Sequence, residues 1–311
     1  MKHPWLIRAM VAAVAFLCMA GVSPAQSATS ERKPVDVYLI GGQSNATGQG
    51  YMANLPQGVV PDQRVMLFHS SGNLKSGAEP NTWIPLRQAS ESPDRFGPEL
   101  GFGNRLQELR PDRKIAIIKH AWSGTNLYRD WAPGKTAADR DNWGRQFKMF
   151  VETVEAGLKG LREQGYEPTI RGMLWQQGES DVSGKPAQGE SVFTGKPAED
   201  YGKNLAHFIG RVREQFQCPN MLFVYGYVLP PPCKGEGRDL VRKGEKDVDQ
   251  DSGSPPAVKG AFVVETDDLS HRAADANTKY PGDHVHFGTA GTLELGRRMA
   301  EKISAKLAAS Q

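Results

Sequence analysis

Short apolar runs that alternate with longer amphipathic segments constrain the fold of this chain more than any other feature. Lys114–Ala121 reads KIAIIKHA, a nearly continuous apolar run of strand length, which is typical of a parallel strand covered on both faces. The predicted strands cover residues 35–40, 64–69, 114–121, 170–175, 221–228 and 259–266. Strands that alternate with helices along one chain predict an α/β fold, in which a parallel sheet lies between two helical layers.

The helical segments are as regular as the strands. Pro98–Leu109 spaces its apolar residues as a helix does, and a proline suits the first turn. The other predicted helices cover residues 144–164, 198–215, 239–248 and 289–306. Ser70–Arg95 has no sustained periodicity and is rich in Gly, Pro, Ser and Asn, so we predict a long surface connection of the kind that often carries function.

The first 25 residues have the composition of a secretory signal peptide. Lys2 and Arg8 make a positive start, Ala9–Ala20 is a 12-residue apolar core, and small residues follow it. The core is too short to span a bilayer, and no other apolar run is long enough to do so. We therefore expect a secreted or periplasmic protein. Its expected organisation is a signal peptide at 1–25, a short linker at 26–34 and a single domain at 35–307.

Charge and cysteine content narrow the range of partners. Removal of the predicted signal peptide lowers the formal net charge from +3 to +1, because that segment contains two basic and no acidic residues. A near-neutral chain without a basic run gives no reason to expect nucleic acid as a partner. Cys218 and Cys233 remain, and a disulfide between them is a candidate in an oxidising compartment. Two cysteines without clustered histidines do not make a zinc site, so we expect no metal.

A polar triplet follows the first predicted strand directly. Val35–Gly48 reads VDVYLIGGQSNATG, and its two adjacent glycines allow a sharp turn that would present Gln43, Ser44 and Asn45 at the end of the strand. Ser44 is therefore a candidate nucleophile. The same pattern is also ordinary loop chemistry, in which Ser or Asn caps a following helix, so the hypothesis requires partners for Ser44 elsewhere in the chain.

A serine nucleophile needs a base, and the base needs a third group that holds it. Asp283 and His286 stand three positions apart just before the last predicted helix, so Asp283 can accept from one ring nitrogen of His286 and leave the other for Ser44. Two alternatives stay open. An Asp-x-x-His sequence before a helix can be a capping arrangement, and His284 with His286 could bind a metal, although no second cluster completes such a site.

Acyl transfer also requires hydrogen-bond donors that face the developing oxyanion. The candidate donors are the backbone N–H groups of Ser44 and Gly124 and the side-chain amide of Gln177. Gly124 can equally be an ordinary turn glycine, and Gln177 a solvated loop residue. Glu179 and Asp181 lie too close together on one loop to act on opposite sides of a sugar, so we interpret them as groups that order the loop.

Four aromatic residues are clustered in the loop after the third predicted strand. Aromatic faces can stack on sugar rings. A second interpretation, in which these side chains close a small satellite core under a long loop, is equally open. The four residues are Trp122, Tyr128, Trp131 and Trp143.

Five sequence blocks occur in one order along the chain. They are Gly41–Asn45, Phe96–Glu99, the loop at Gly124, Trp175–Asp181 and Asp283–Phe287. Together these blocks resemble those of the SGNH (GDSL-type) hydrolases. The resemblance is greatest to the sialate O-acetylesterase-like branch, which includes the acetylxylan esterases of carbohydrate esterase family 6, and it extends over about residues 35–305.

The resemblance implies a flavodoxin-like, three-layer α/β/α sandwich with a parallel sheet. It implies a catalytic triad of Ser44, Asp283 and His286, with Gly124 and Gln177 as oxyanion donors beside the backbone of Ser44, and no cofactor. The residues then expected to support the triad or contact the substrate are Gln43, Asn45, Gln176 and Glu179.

The substrate implied by the resemblance is an acetylated oligo- or polysaccharide, of the acetylxylan or sialic acid type. The alternatives are a general short-chain esterase and a non-catalytic carbohydrate-binding domain on the same fold. The chain lacks the long apolar loops expected for acyl-chain binding. A binding domain has no need of a proton relay, so the combination of Ser44, Asp283 and His286 argues for an enzyme.

Overall fold

A mainly parallel β-sheet organises the computed structural model, which describes Met1 and residues 31–182 and 196–309. Apart from Met1, the predicted signal peptide lies outside the described residues. In chain order the strands are β1 (Lys33–Gly42), β2 (Gly50–Tyr51), β3 (Met66–His69), β4 (Ile84–Pro85), β5 (Arg95–Phe96), β6 (Ile115–Lys119), β7 (Tyr166–Gln176), β8 (Leu222–Gly226) and β9 (Ala261–Val264). Seven of them form one sheet in the order β4-β3-β6-β1-β7-β8-β9, and β2 pairs with β5.

The sheet brings the ends of its central strands to one edge. Every pairing in it is parallel except that of β3 with the edge strand β4. Strand β1 is the fourth of the seven, and its last residue, Gly42, lies beside Gln176 at the end of β7. The carboxyl ends of parallel strands are where ligand sites form in sheets of this kind. The turn that carries Ser44 is therefore central.

Helices cover both faces of the sheet. They are α1 (Ser44–Thr47), α2 (Pro98–Leu109), α3 (Arg145–Glu163), α4 (Tyr201–Gln215), α5 (Glu236–Val248) and α6 (Thr289–Ala308). Successive side chains of a strand point to opposite faces. In β1, Val37 and Leu39 pack with the side chains of α3 and α4, whereas Tyr38 and Ile40 pack with those of α2 and α6. The predicted three-layer α/β/α sandwich is confirmed.

Most element boundaries lie close to the predicted ones. Helix α2 has the predicted bounds, and α5 begins at Glu236, three residues before the predicted start. The two-residue strands β2, β4 and β5 were not predicted, because two residues carry no periodicity. The connection at 70–95 is only partly a surface segment, since it contains β4 and buries Leu86 and Ala89. None of the helices in the described part of the chain is long and apolar enough to cross a membrane.

The predicted disulfide between Cys218 and Cys233 is wrong, because both cysteines are free. Cys218 precedes β8, and its Sγ lies 3.9 Å from Met221 Sδ. Cys233 follows β8, and its Sγ lies 3.4 Å from the carbonyl oxygen of His284. The strand between them extends over about 13 Å, whereas bridged cysteines have Cα atoms within about 7 Å of each other. The strand itself keeps the two thiols apart.

The aromatic residues after β6 mostly belong to the core. Trp131 is fully buried and meets Trp175 edge-on, with ring centroids 4.9 Å apart. Tyr128 and Trp143 are also buried. The packing interpretation therefore holds for these three side chains rather than the sugar-stacking one. Trp122 is only half-buried.

Candidate active site

Ser44 lies where the chain turns from β1 into the short helix α1. Gly42 makes this turn possible, because its φ is +133° and a Cβ there would lie 2.1 Å from the carbonyl oxygen of Gln176. Only glycine allows so close an approach in that conformation. The turn leaves Ser44 6% exposed, among the residues that line a pocket of about 480 Å³.

Ser44, His286 and Asp283 form a hydrogen-bonded relay. His286 Nε2 lies 2.9 Å from Ser44 Oγ, and His286 Nδ1 lies 2.8 Å from Asp283 Oδ2. The second carboxylate oxygen, Oδ1, accepts the backbone N–H groups of Val285 and His286, both at 3.1 Å. Asp283 thus fixes the orientation of the imidazole ring, and the other ring nitrogen faces the serine hydroxyl. The structure brings the three predicted triad residues together.

An arginine that the sequence reasoning missed binds the carboxylate of this relay. Arg272 is 7% exposed, and its Nε and Nη2 lie 2.8 and 2.5 Å from Asp283 Oδ2. Burial alone would raise the pKa of Asp283, but the hydrogen bonds and charge of His286 and the charge of Arg272 hold it well below the usual range. Asp283 is therefore ionised at neutral pH. No spacing rule links positions 272 and 283, so the sequence offered no signal for this contact.

Asn45 joins the serine turn to the histidine loop. Its Nδ2 donates to the carbonyl oxygen of Val285 at 3.1 Å, and its Oδ1 accepts the backbone N–H of Phe287 at 3.0 Å. These two bonds hold the backbone on either side of His286. The same Nδ2 also donates to Glu179 Oε1 at 2.6 Å. Of the two roles predicted for Asn45, these contacts favour support of the triad over substrate contact.

Glu179 places a buried carboxyl group beside the relay. Its Oε1 is held by Asn45, whereas its Oε2 is buried and has no hydrogen-bond partner in the part of the chain that the structure describes. Burial raises the pKa of Glu179, and hydrogen bonds from Asn45 and backbone N–H groups and the charge of His286 only partly oppose this effect. Glu179 also lines the pocket. It is the one predicted supporting residue that combines burial, a raised pKa and access to the pocket.

Two backbone N–H groups fit the predicted oxyanion role. Ser44 is the first residue of α1, so its N–H has no acceptor within that helix. Gly124 lines the same pocket, has a φ of +72° and has open space where a Cβ would stand. A side chain at position 124 would enter this space, so glycine leaves the approach to the backbone open.

The side chain of Gln177 does not face the pocket. Its Nε2 donates to Gln43 Oε1 at 3.0 Å, to the carbonyl oxygen of Thr125 at 3.1 Å and to Asp181 Oδ2 at 2.6 Å. Gln177 is 1% exposed and does not line the pocket, whereas Gln43 does. In this arrangement the two N–H groups of Gln177 are already bound to these acceptors, so they are not directed at the pocket. The oxyanion role of Gln177 stays a prediction.

Asp181 orders the loop after β7. It is 1% exposed, and its carboxylate accepts the backbone N–H of Leu127 at 3.0 Å as well as the Gln177 amide. Burial raises the pKa of Asp181 to about 7, although the hydrogen bonds from Gln177 and from Leu127 lower it. This contact ties the loop after β7 to the loop after β6, as the interpretation from sequence requires.

Gln176 does not reach the pocket. It is 2% exposed, and neither its Oε1 nor its Nε2 has a hydrogen-bond partner among the described residues. Its Oε1 would lie 2.5 Å from a Cβ on Gly226, which places the amide against β8. The structure therefore separates Gln176 from the other predicted site residues.

The far wall of the pocket is polar and charged. Glu91 and Arg95 come from the connection at 70–95, and Arg272 comes from the segment before α6. Tyr280, which is 41% exposed, lies with its ring 4.0 Å from the Arg272 guanidinium. Within the described ranges, no cluster of three or more His, Cys, Asp or Glu side chains has the arrangement of a metal site.

A family model and one curated relative match this sequence. The family is described as carbohydrate esterase, sialic acid-specific acetylesterase, and its model matches residues 34–305. An Arabidopsis thaliana protein described as a probable carbohydrate esterase is 22% identical over 201 residues, which cover 60% of this chain and 66% of that protein. The match thus spans just under two thirds of that relative's length.

Several solved structures share the fold. NanS superposes with a TM-score of 0.65 at 14% identity, covering 90% of this chain and 99% of its own. The Arabidopsis thaliana protein superposes with a TM-score of 0.61 at 19% identity, covering 88% and 98%. A carbohydrate acetylesterase from Xanthomonas citri gives a TM-score of 0.56 at 18% identity, covering 89% and 57%. At these identities the similarity establishes a common architecture.

Proposed function

Since the chain belongs to the carbohydrate esterase family of sialic acid-specific acetylesterases, we propose that it removes O-acetyl groups from a carbohydrate. The observation that carries this proposal is the relay in which Ser44 Oγ lies 2.9 Å from His286 Nε2 and His286 Nδ1 lies 2.8 Å from Asp283. A nucleophile, a base and a group that holds the base are the parts that acyl transfer requires.

The reaction has two halves. Ser44 Oγ attacks the carbonyl carbon of the acetyl ester while His286 Nε2 takes the hydroxyl proton, and the carbonyl oxygen becomes an oxyanion near the N–H groups of Ser44 and Gly124. The tetrahedral intermediate expels the sugar oxygen, which receives the proton from His286. Water then attacks acetyl-Ser44 by the same route, and acetate leaves. Asp283 stabilises the imidazolium and remains a carboxylate throughout.

The lining of the pocket favours a sugar over a long acyl chain. Apart from Val285 and Tyr280, the lining residues are polar, charged or glycine. Hydroxyl groups of a sugar find hydrogen-bond partners there, whereas an alkyl chain would leave buried polar groups without partners. The N-terminal sequence pattern further supports the proposal that the protein is exported. Acetylated polysaccharides are accessible outside the cytoplasm.

The test is acetate release from p-nitrophenyl acetate and from a panel of acetylated xylan, acetylated sialic acid and acetylated pectin. Ser44→Ala is expected to abolish release from every substrate without unfolding the protein, since it removes the nucleophile. Ser254→Ala, which changes a serine outside the pocket, serves as the matched control and should retain activity. Unchanged turnover by Ser44→Ala would contradict the proposal.

A further inference from the structure

Two glutamine amides lie next to each other behind the nucleophile, and the backbone around Gln43 fixes which way its amide points. Gln43 Oε1 accepts the backbone N–H groups of Ser180 at 3.2 Å and Gly178 at 3.5 Å, and the Gln177 amide at 3.0 Å. A backbone N–H can only donate, so the atom that meets it must be the amide oxygen. The nitrogen of Gln43 consequently faces the other way.

The Gln43 nitrogen has no hydrogen-bond partner among the described residues. It is also absent from the fully buried polar atoms, so part of its surface is accessible. It therefore has contact with the pocket, which Gln43 lines together with Ser44 and Gly124. Three hydrogen bonds to the carbonyl oxygen orient the Gln43 amide, and its N–H groups have no acceptor among the described residues. These N–H groups are therefore available to a ligand.

In the neighbouring Gln177 amide, by contrast, the nitrogen makes its hydrogen bonds inside the protein. One of its acceptors, the backbone carbonyl oxygen of Thr125, cannot donate, so the atom that meets it must be Nε2. Its Oε1 lies 3.3 Å from the Tyr201 hydroxyl, whose shorter hydrogen bond goes to the backbone carbonyl oxygen of Gln177. The Gln177 amide is thus enclosed by the protein, and one of its N–H groups meets Gln43 Oε1.

We infer that Gln43 supplies the side-chain N–H of the oxyanion hole, alongside the backbone N–H groups of Ser44 and Gly124. This inference rests on the proposed esterase function and names a further catalytic residue for it. Gln43 Nε2 would donate to the carbonyl oxygen of the acetyl group as negative charge develops on it. Gln177 acts through Gln43 as a positioning residue, because its amide holds the Gln43 oxygen.

The Gln43→Glu variant tests this assignment. The substituted side chain keeps an oxygen for the N–H groups of Gly178, Ser180 and Gln177, but it replaces the N–H donor by a second oxygen. Loss of one oxyanion donor typically lowers kcat about 100- to 1,000-fold. We expect a loss of that size or larger with KM changed less than about threefold, because the donor acts mainly in the transition state.

Two further measurements separate a missing donor from a disturbed fold. Gln43→Met removes the donor without adding a charge, although it also removes the oxygen that accepts three N–H groups, and the folded variant should lose kcat in the same direction. An alkylboronic acid, which forms a tetrahedral adduct with a nucleophilic serine, should bind the folded variants more weakly in proportion to their loss of kcat/KM. Gln164→Glu, which adds the same charge at an exposed position after α3, serves as the control and should behave like the wild type.

A kcat within threefold of the wild type in folded Gln43→Glu would overturn the assignment, as would a loss confined to KM or unchanged boronate affinity. If both variants unfold, Gln43 is required for the fold itself, and that outcome would also count against a role limited to the donor. The proposed function fails differently, through a Ser44→Ala variant that still releases acetate.

Discussion

The two sides of strand β1 hold buried charge in different ways. On the β6 side, Lys119 and Glu99 are fully buried and form an ion pair at 2.5 Å. The Lys119 ammonium also donates to the carbonyl oxygens of Thr47 at 3.0 Å and Ala89 at 2.6 Å. All three N–H groups are satisfied, and the pair ties the end of α1 to the connection at 70–95.

On the β7 side, two carboxyl groups on one loop, those of half-buried Glu179 and buried Asp181, have no cation partner among the described residues. Glu179 and Asp181 take part in none of the ion pairs found among the described residues. Their hydrogen-bond donors are the uncharged amides of Asn45 and Gln177 and backbone N–H groups, including that of Leu127. Burial raises the pKa of both carboxyl groups. One of the two, Glu179, borders the pocket.

The difference separates stability from chemistry. A buried ion pair with every donor satisfied holds the segments around it together. Removal of one member leaves an uncompensated charge in the interior. Buried carboxyl groups held only by neutral donors can take up a proton instead, so they retain little electrostatic strain. We therefore expect the β6 side to dominate the free energy of unfolding and the β7 side to affect turnover and pH dependence.

The largest effect is expected for Lys119→Met, which leaves the Glu99 carboxylate buried without its cation. Such a loss typically costs about 3–5 kcal/mol of the free energy of unfolding, measurable by urea denaturation. Lys114→Met is the matched control, because Lys114 is only partly buried and donates a single hydrogen bond, to the carbonyl oxygen of Arg64. Equal losses in the two variants would break the comparison.

The second largest effect is expected for Asn45→Ala, which should lower the turnover rate. The substitution removes both bonds that hold the backbone around His286, and a displaced base typically costs about 100-fold in rate. Asn104→Ala is the control, since Asn104 also makes two bonds to the backbone, with Val60 and Asp62, but outside the pocket. Initial-rate kinetics on both variants would show whether Asn45 acts on the base; equal rates would refute that role.

The pH dependence of stability tests the β7 side directly. Burial raises the pKa of Asp181 from 3.8 to about 7, so between these values the folded state binds a proton that the unfolded chain has released. This contribution to stability is largest below pH 4 and is lost as pH rises to 7, by on the order of 1–2 kcal/mol between pH 5 and pH 7. Asp181→Asn should flatten that slope in urea titrations at several pH values. An unaltered slope would show that Asp181 is ionised throughout.

The smallest effect is expected for Glu179→Gln at neutral pH. The variant keeps an oxygen for Asn45 and removes a carboxyl group that has no cation, so the free energy of unfolding should change by less than about 1 kcal/mol. Thermal and urea denaturation measure this change. A loss as large as that of Lys119→Met would mean that the two sides do not differ in the way described.

Much of this molecule follows from local pattern. The alternation of apolar runs and helical segments predicted the three layers, because burial on both faces requires continuous apolar strands. The glycine pair at 41–42 and the Asp283–His286 spacing are also local, since a turn and a three-residue separation determine where their side chains can point. Ser44, Asp283 and His286 could therefore be proposed as partners before any distance was known.

Other parts depended on contacts between distant segments. The orientation of the Gln43 and Gln177 amides is decided by N–H groups and carbonyls of separate loops, and either glutamine fits the sequence pattern equally well. Arg272 meets Asp283 only because the loop before α6 folds back on itself. The cysteines fail to pair because β8 lies between them.

The sequence by itself determined the order of the layers and the residue types of the relay, because these rest on periodicity and on short-range geometry. Only the tertiary structure decided which amide faces the pocket, which cation holds Asp283 and where charge is buried in pairs or alone. Those outcomes depend on directional hydrogen bonds and desolvation, which act between atoms brought together by the fold and leave no spacing in the chain to read.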